Sequence, residues 1–81
     1  MTRYHMYDEE SNLLLWYGCN TTEGYFYEIL EVTDLEKGEG NLLEKKTSLS
    51  NSLTPDDFYR ILDDWEVPRE HLLAISLSLN F

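Results

Sequence analysis

The residues that could do chemistry in this chain are few, and their spacing works against them. Cys19 and His71 are a nucleophile and a base by type. A working pair needs the thiol framed by a local turn and held against the imidazole. No Gly-rich turn frames Cys19 and His71 opens a helical stretch, so Cys19 reads as a small apolar strand residue. His5 alternates with aromatics and reads as structural and partly exposed. Glu28 and Glu31 lie on an aromatic strand, a setting in which paired carboxylates can cleave glycosides. That chemistry needs a cleft, which 81 residues rarely build, and Glu28 reads more simply as facing solvent or pairing with a lysine.

Asp8, Glu9 and Glu10 gather carboxylates, but the spaced oxygen ligands of a calcium loop, with their fixed glycine and terminal glutamate, are absent. Gly38 and Gly40 are not followed by the Lys-Ser or Lys-Thr of a phosphate-cradling loop. No basic patch is interleaved with aromatics, which disfavours direct nucleic-acid binding. Asn20-Thr21-Thr22 matches a glycosylation sequon by chance. The sequence thus offers no catalytic, cofactor-binding or metal-binding residue, and the chain reads as a non-enzyme that needs no cofactor.

The elements are easier to read. Gly24–Val32 is dense in aromatic and β-branched residues, as strands prefer. Alternation puts Tyr25, Tyr27 and Ile29 on one face and Phe26, Leu30 and Val32 on the other. Leu13–Cys19 behaves alike, with Leu13, Leu15, Tyr17 and Cys19 opposed to Leu14 and Trp16. Strands over 3–7, 13–19, 25–32 and 42–49, joined by short polar links, predict an antiparallel sheet. In the last of them Leu43, Thr47 and Leu49 are in phase, with Lys45 and Lys46 as charges suited to an edge strand.

Thr54-Pro55-Asp56-Asp57 is a helix start: an N-cap, proline at the first helical position and acids in the first turn. Phe58, Ile61, Leu62 and Trp65 then form one apolar stripe, predicting a helix over 55–65. Asp63 and Asp64 sit near its C-terminus, where the helix dipole disfavours acids. Pro68 predicts a second helix over 68–77, with a C-terminal strand over 75–81 as the rival reading of its alternating leucines. The fold class is α+β: a sheet of three or four antiparallel strands followed by one or two C-terminal helices packed on one face, in a single small domain over 1–81.

Sixteen acidic against six basic residues give a net charge of −10. Nucleic acid and anionic membranes repel such a chain. No apolar run approaches the roughly 18–20 residues of a membrane span, and the N-terminus has no secretory pattern, so a cytoplasmic protein is expected. A core this small is marginal, and a single cysteine provides no internal disulfide.

Two apolar sheet faces and helices for one of them predict an interaction surface, because monomers seldom expose large apolar patches; the rival reading has Thr33–Asn41 or a C-terminal strand at Ile75–Phe81 fold back over the second face. The face of Tyr17, Tyr25 and Tyr27 is expected to be the open one, since phenols tolerate water better than Trp16 or Phe26 would. The expected function is protein–protein binding, as a small regulatory or adaptor module, with another protein or a second copy of itself as partner. An alternative is an acidic inhibitor that mimics nucleic acid on a basic partner, centred on Asp56, Asp63 and Asp64. A small enzyme is the remaining class, and it would need a pocket of converging polar groups.

Overall fold

The computed structural model describes residues 2–50 and 52–79, apart from the Leu79 side chain. It shows the expected α+β architecture. The strands are β1 (Thr2–Asp8), β2 (Leu13–Asn20), β3 (Gly24–Asp34) and β4 (Glu39–Thr47), paired antiparallel in the order β1-β2-β3-β4. The helices α1 (Pro55–Asp64) and α2 (Arg69–Leu79) follow. Both lie on one face, α1 against β3 and α2 against β1 and β2. No helix among the described residues is long and apolar enough to cross a membrane.

All three hairpins use one turn grammar. Each turn opens on an Asx residue whose side-chain oxygen accepts backbone N–H groups, a local competitor to continued strand. Asp8 Oδ1 accepts from Glu10 N at 3.1 Å, Asn20 Oδ1 from Glu23 N at 2.7 Å, and Asp34 Oδ1 from Lys37 N at 3.2 Å. Each turn also closes, four residues on, at a positive φ: Asn12 at 58°, Gly24 at 73° and Gly38 at 69°. Asparagine and glycine suit that left-handed region better than other residues do.

Register follows from these turns. Tyr4 opposes Tyr17, Leu15 opposes Ile29, and Tyr17 opposes Tyr27. The β3–β4 pair is less regular, with register shifts between Ile29 and Leu30 and between Val32 and Asp34. Leu30 opposes Leu42 and Ile29 opposes Glu44, which leaves Leu43 as an extra residue in β4. This bulge breaks the phase that simple alternation predicts for Leu43 and Thr47: Leu43 is exposed and Thr47 is buried. The strand also starts at Glu39, ahead of Leu42, and stops at Thr47.

The chain then turns beneath the sheet. Ser48 N donates to Tyr25 O at 2.9 Å, and Leu53 N donates to Thr47 O at 3.2 Å. The Thr54 hydroxyl accepts from Asp57 N at 3.2 Å and so caps α1. Phe58 and Leu62 are wholly buried, while Ile61 and Trp65 are half-buried. The helix ends in a Schellman arrangement: Val67 N donates to Leu62 O and Glu66 N to Asp63 O, with Leu62 and Val67 both in the core. Glu66 takes the left-handed position, at φ 54°, that glycine usually fills.

Ile75–Leu79 is helical and continues α2; Asn80 and Phe81 lie outside the described residues. Among the described side chains of α2, Ile75 is the one that is wholly buried. Polar contacts supplement it: the Thr2 and Ser78 hydroxyls lie 2.8 Å apart, and Tyr17 Oη lies 2.6 Å from His71 Nδ1.

Leu62 ties α1 to the core and Asp63 faces solvent, so the two neighbours should differ sharply. Leu62→Ala is expected to lower unfolding free energy by about 2–5 kcal/mol. Asp63→Ala should change it by no more than about 0.5 kcal/mol, as measured by urea denaturation.

Candidate interaction surfaces

The tyrosine face is the covered one, which reverses the expectation that Tyr17, Tyr25 and Tyr27 look outward. Tyr17 is 0% and Tyr27 4% exposed, and Tyr25 packs on Phe58 with ring centroids 5.1 Å apart. The physical reason is that their hydroxyls need no water. Tyr17 is hydrogen-bonded to His71, whose ring is stacked on Tyr4 at 3.9 Å, and Tyr27 donates to Glu44 Oε1 at 2.6 Å. A buried phenol with a partner brings its large apolar area into the core at little polar cost. Burial, with Tyr4 beside it, pushes the Tyr17 hydroxyl up to about 12. Tyr27 is pushed up as well, by burial first and then by the Glu44 carboxylate.

Asp56, Asp63 and Asp64 stand exposed on α1. The structure does not bring them to the tyrosines: three of the six residues read as partner-binding lie in or against the core and three at the surface. Asp57 pairs with Arg60 at 3.3 Å, the one ion pair of this helix among the described residues.

The residues considered for chemistry are held apart or already engaged. Cys19 is buried in the core and His71 Nδ1 is taken by Tyr17. Glu28 faces away from the helices, where it pairs with Arg3 at 3.3 Å and Lys45 at 3.9 Å. Glu31, three residues on, falls on the opposite face. The Asp8 carboxylate is held below its ordinary range by the Ser11 hydroxyl at 2.7 Å. Among the described residues no group of His, Cys, Asp and Glu is arranged to hold a metal ion.

The helix-free face is roofed by its own chain, so it is not the open apolar surface expected of it; the link over 33–41 supplies the cover. Leu14 is 0% and Phe26 4% exposed there without any helix above them. The bulged β3–β4 hairpin brings its tip back over Trp16, whose Nε1 donates to Gly38 O at 3.4 Å. A Cβ on Gly38 would stand 2.7 Å from Trp16 Cζ2, so the approach requires glycine. The Arg3 guanidinium lies 4.1 Å over the same indole, and the His5 ring lies 4.8 Å from it.

Two depressions stand out among the described residues. One, of about 470 Å³, lies beside this roof, with Phe26, Arg3, Glu23, Glu28 and Lys45 in its wall. Its charges answer one another: Lys45 binds Glu23 at 2.7 Å, and that bond holds the Glu23 carboxyl below its ordinary range. The other, of about 580 Å³, lies between β1 and the end of α1, with Met6, Leu13 and Trp65 beside Asp8, Asp64 and Glu66.

What sequence reasoning missed is the outer hairpin. Every residue from Asn41 to Lys46 is exposed, and Leu35, Leu42 and Leu43 stand 47%, 55% and 57% open. The signal was the adjacent pair Leu42-Leu43. Neighbours in a regular strand face opposite ways, so such a pair at an edge implies a bulge or an exposed leucine.

Gly38→Ala should lift Trp16 off the turn, lowering the melting temperature and shifting indole emission to the red. The raised tyrosines predict alkaline sensitivity. The folded state holds the Tyr17 proton above the ordinary value of 10.0, up to about 12. Its stabilisation is therefore complete below pH 10.0 and lost as pH rises to about 12, where the unfolded chain ionises and the folded one resists. Denaturation at stepped pH should show that fall, and Tyr17→Phe should lessen it, with Tyr27 and Tyr25 keeping a share.

The chain matches no family model, no curated protein and no solved structure, so its geometry is the guide to its function.

Proposed function

We propose that this chain is a small non-enzymatic protein-binding module, acting as a regulator or adaptor in the cytoplasm, and that it docks through the β3–β4 hairpin. The observation that carries this reading is the exposure of Leu35, Leu42 and Leu43 on a hairpin whose outer strand is a sheet edge. An edge strand adds main-chain hydrogen bonds to the apolar contact, the usual basis of strand addition. The polar groups that could converge on a substrate are instead paired with one another, as in the Arg3–Glu28–Lys45–Glu23 chain. The net charge of −10 favours protein over nucleic acid or membrane as partner.

A second reading rests on α1. Asp63 and Asp64 are exposed at a helix end that disfavours them, and Asp56 is exposed at the other end. An acidic face of this kind suits a basic protein and would let the chain stand in for nucleic acid on it.

Affinity capture from the native host with three baits separates these readings. Proteins held by the parent chain should be lost with Leu42→Glu/Leu43→Glu and kept with Asp63→Asn/Asp64→Asn at every salt concentration. The opposite pattern, with steep loss in salt, would favour the acidic face. A protein kept by both variants would sink the hairpin as docking surface.

A further inference from the structure

We infer that the β4 edge is built to pair with the β4 edge of a second copy, antiparallel about a two-fold axis through the Leu42–Leu43 peptide. This deepens the reading of the hairpin as a docking surface and rests on it. In this register Leu42 meets Leu43 of the second copy, Asn41 meets its Glu44, Gly40 meets its Lys45, and Glu39 meets its Lys46. The pairing extends the sheet continuously across both copies and is isologous, since every contact occurs twice.

The bulge makes the faces agree. In a regular strand this register would oppose residues that point to different sides of the sheet, because side chains alternate strictly. Here the extra residue at Leu43 resets the alternation. Gly40 and Lys45 oppose Val32 and Glu28, on the helix-free face. Asn41, Glu44 and Lys46 oppose Glu31, Ile29 and Tyr27, on the helix side. Glu39, next to Gly40 in β4, shares the helix side with Lys46. Each of these cross-copy pairs therefore matches in face, and the leucines gather around the axis.

Charge selects the same register. Glu39 and Glu44 against Lys45 and Lys46 leave β4 with no net charge, so the rest of the chain carries the whole −10. Along this strand two acidic copies meet without a local excess of negative charge. The acidic end of one β4 lies against the basic end of the other, giving two Glu39–Lys46 contacts. Lys46 is half-exposed and 3.8 Å from Glu44, a loose pair that leaves it able to reach across. Exposed ion pairs contribute little affinity, so these contacts fix register while the leucines and main-chain hydrogen bonds hold the copies together. Lys46, which would repel an arbitrary strand, finds an acid in this one, while Lys45 stays with Glu23 and Glu28 of its own chain.

Sedimentation equilibrium from micromolar to millimolar protein tests the pairing, with far-UV circular dichroism confirming that each variant is folded. The parent should be dimeric within that range. Glu39→Lys alone sets a new lysine against the second copy's Lys46, and Lys46→Glu alone sets glutamate against glutamate. Each should weaken self-association at least about tenfold. An equimolar mixture of the two variants should restore a dimer, now a heterodimer, because their charges are complementary in this register. A parent monomeric throughout the range would overturn the inference. So would a dimer indifferent to the reversals, or variants that fail to associate on mixing. A monomeric parent whose captured proteins are still lost with Leu42→Glu/Leu43→Glu would leave the docking surface standing and remove only the second copy.

Discussion

A sheet with large apolar side chains on both faces needs two covers, and the chain has helices for only one. That constraint organises the molecule. Leu14, Phe26 and Leu30 on one face are buried as effectively as Leu15, Tyr17 and Tyr27 on the other. The covers differ in kind. On one side α1 and α2 supply Phe58, Leu62 and Ile75. On the other the sheet bends over itself, and Trp16 lies between the sheet and the turn at Gly38.

Polar partners allow the tyrosine face to take the helices, and aromatic fit favours it. The tyrosines end in hydroxyls that reach His71 and Glu44, so they fill a dry core and still satisfy their polar tips. Trp16 instead sits at a half-buried rim, where its indole N–H meets a turn carbonyl and its ring meets the Arg3 guanidinium. Exposing the phenols and burying the indole would also have satisfied hydrogen bonding, but it would have given up the fit of Tyr25 against Phe58 and of Tyr4 against His71. The hydroxyl did not mark a residue for solvent; it marked one whose tip needed a partner.

The bulges that curl the hairpin over Trp16 also shape its outer edge. An extra residue at Leu43 frees that leucine from the β3 ladder and places Lys45 on the same face as Leu42. One local irregularity thus helps to close the helix-free face and leaves an exposed leucine pair on a charge-balanced strand at the border of an acidic molecule. Fold and surface share a cause, which is why the functional reading centres on β4 and not on the pairs of charged residues along the chain.

The sequence by itself determined what short-range physics controls. Asp8, Asn20 and Asp34, each followed four residues later by Asn12, Gly24 and Gly38, set the hairpins, because side-chain oxygens and positive φ act within a few residues. Thr54 and Pro55 set the start of α1 in the same way. Among the site residues, the exposure of Asp56, Asp63 and Asp64 was legible from their place off the α1 stripe. Tertiary structure alone decided which sheet face the helices took, because alternation defines two faces but does not name the one that packs. It also decided that α2 continues through Ile75, where leucine spacing fitted helix and strand alike and contact with β1 and β2 favoured the helix. The Leu43 bulge belongs partly to the same class: the adjacent leucines hint at an irregularity, but a shift of one residue against β3 depends on how the whole hairpin coils.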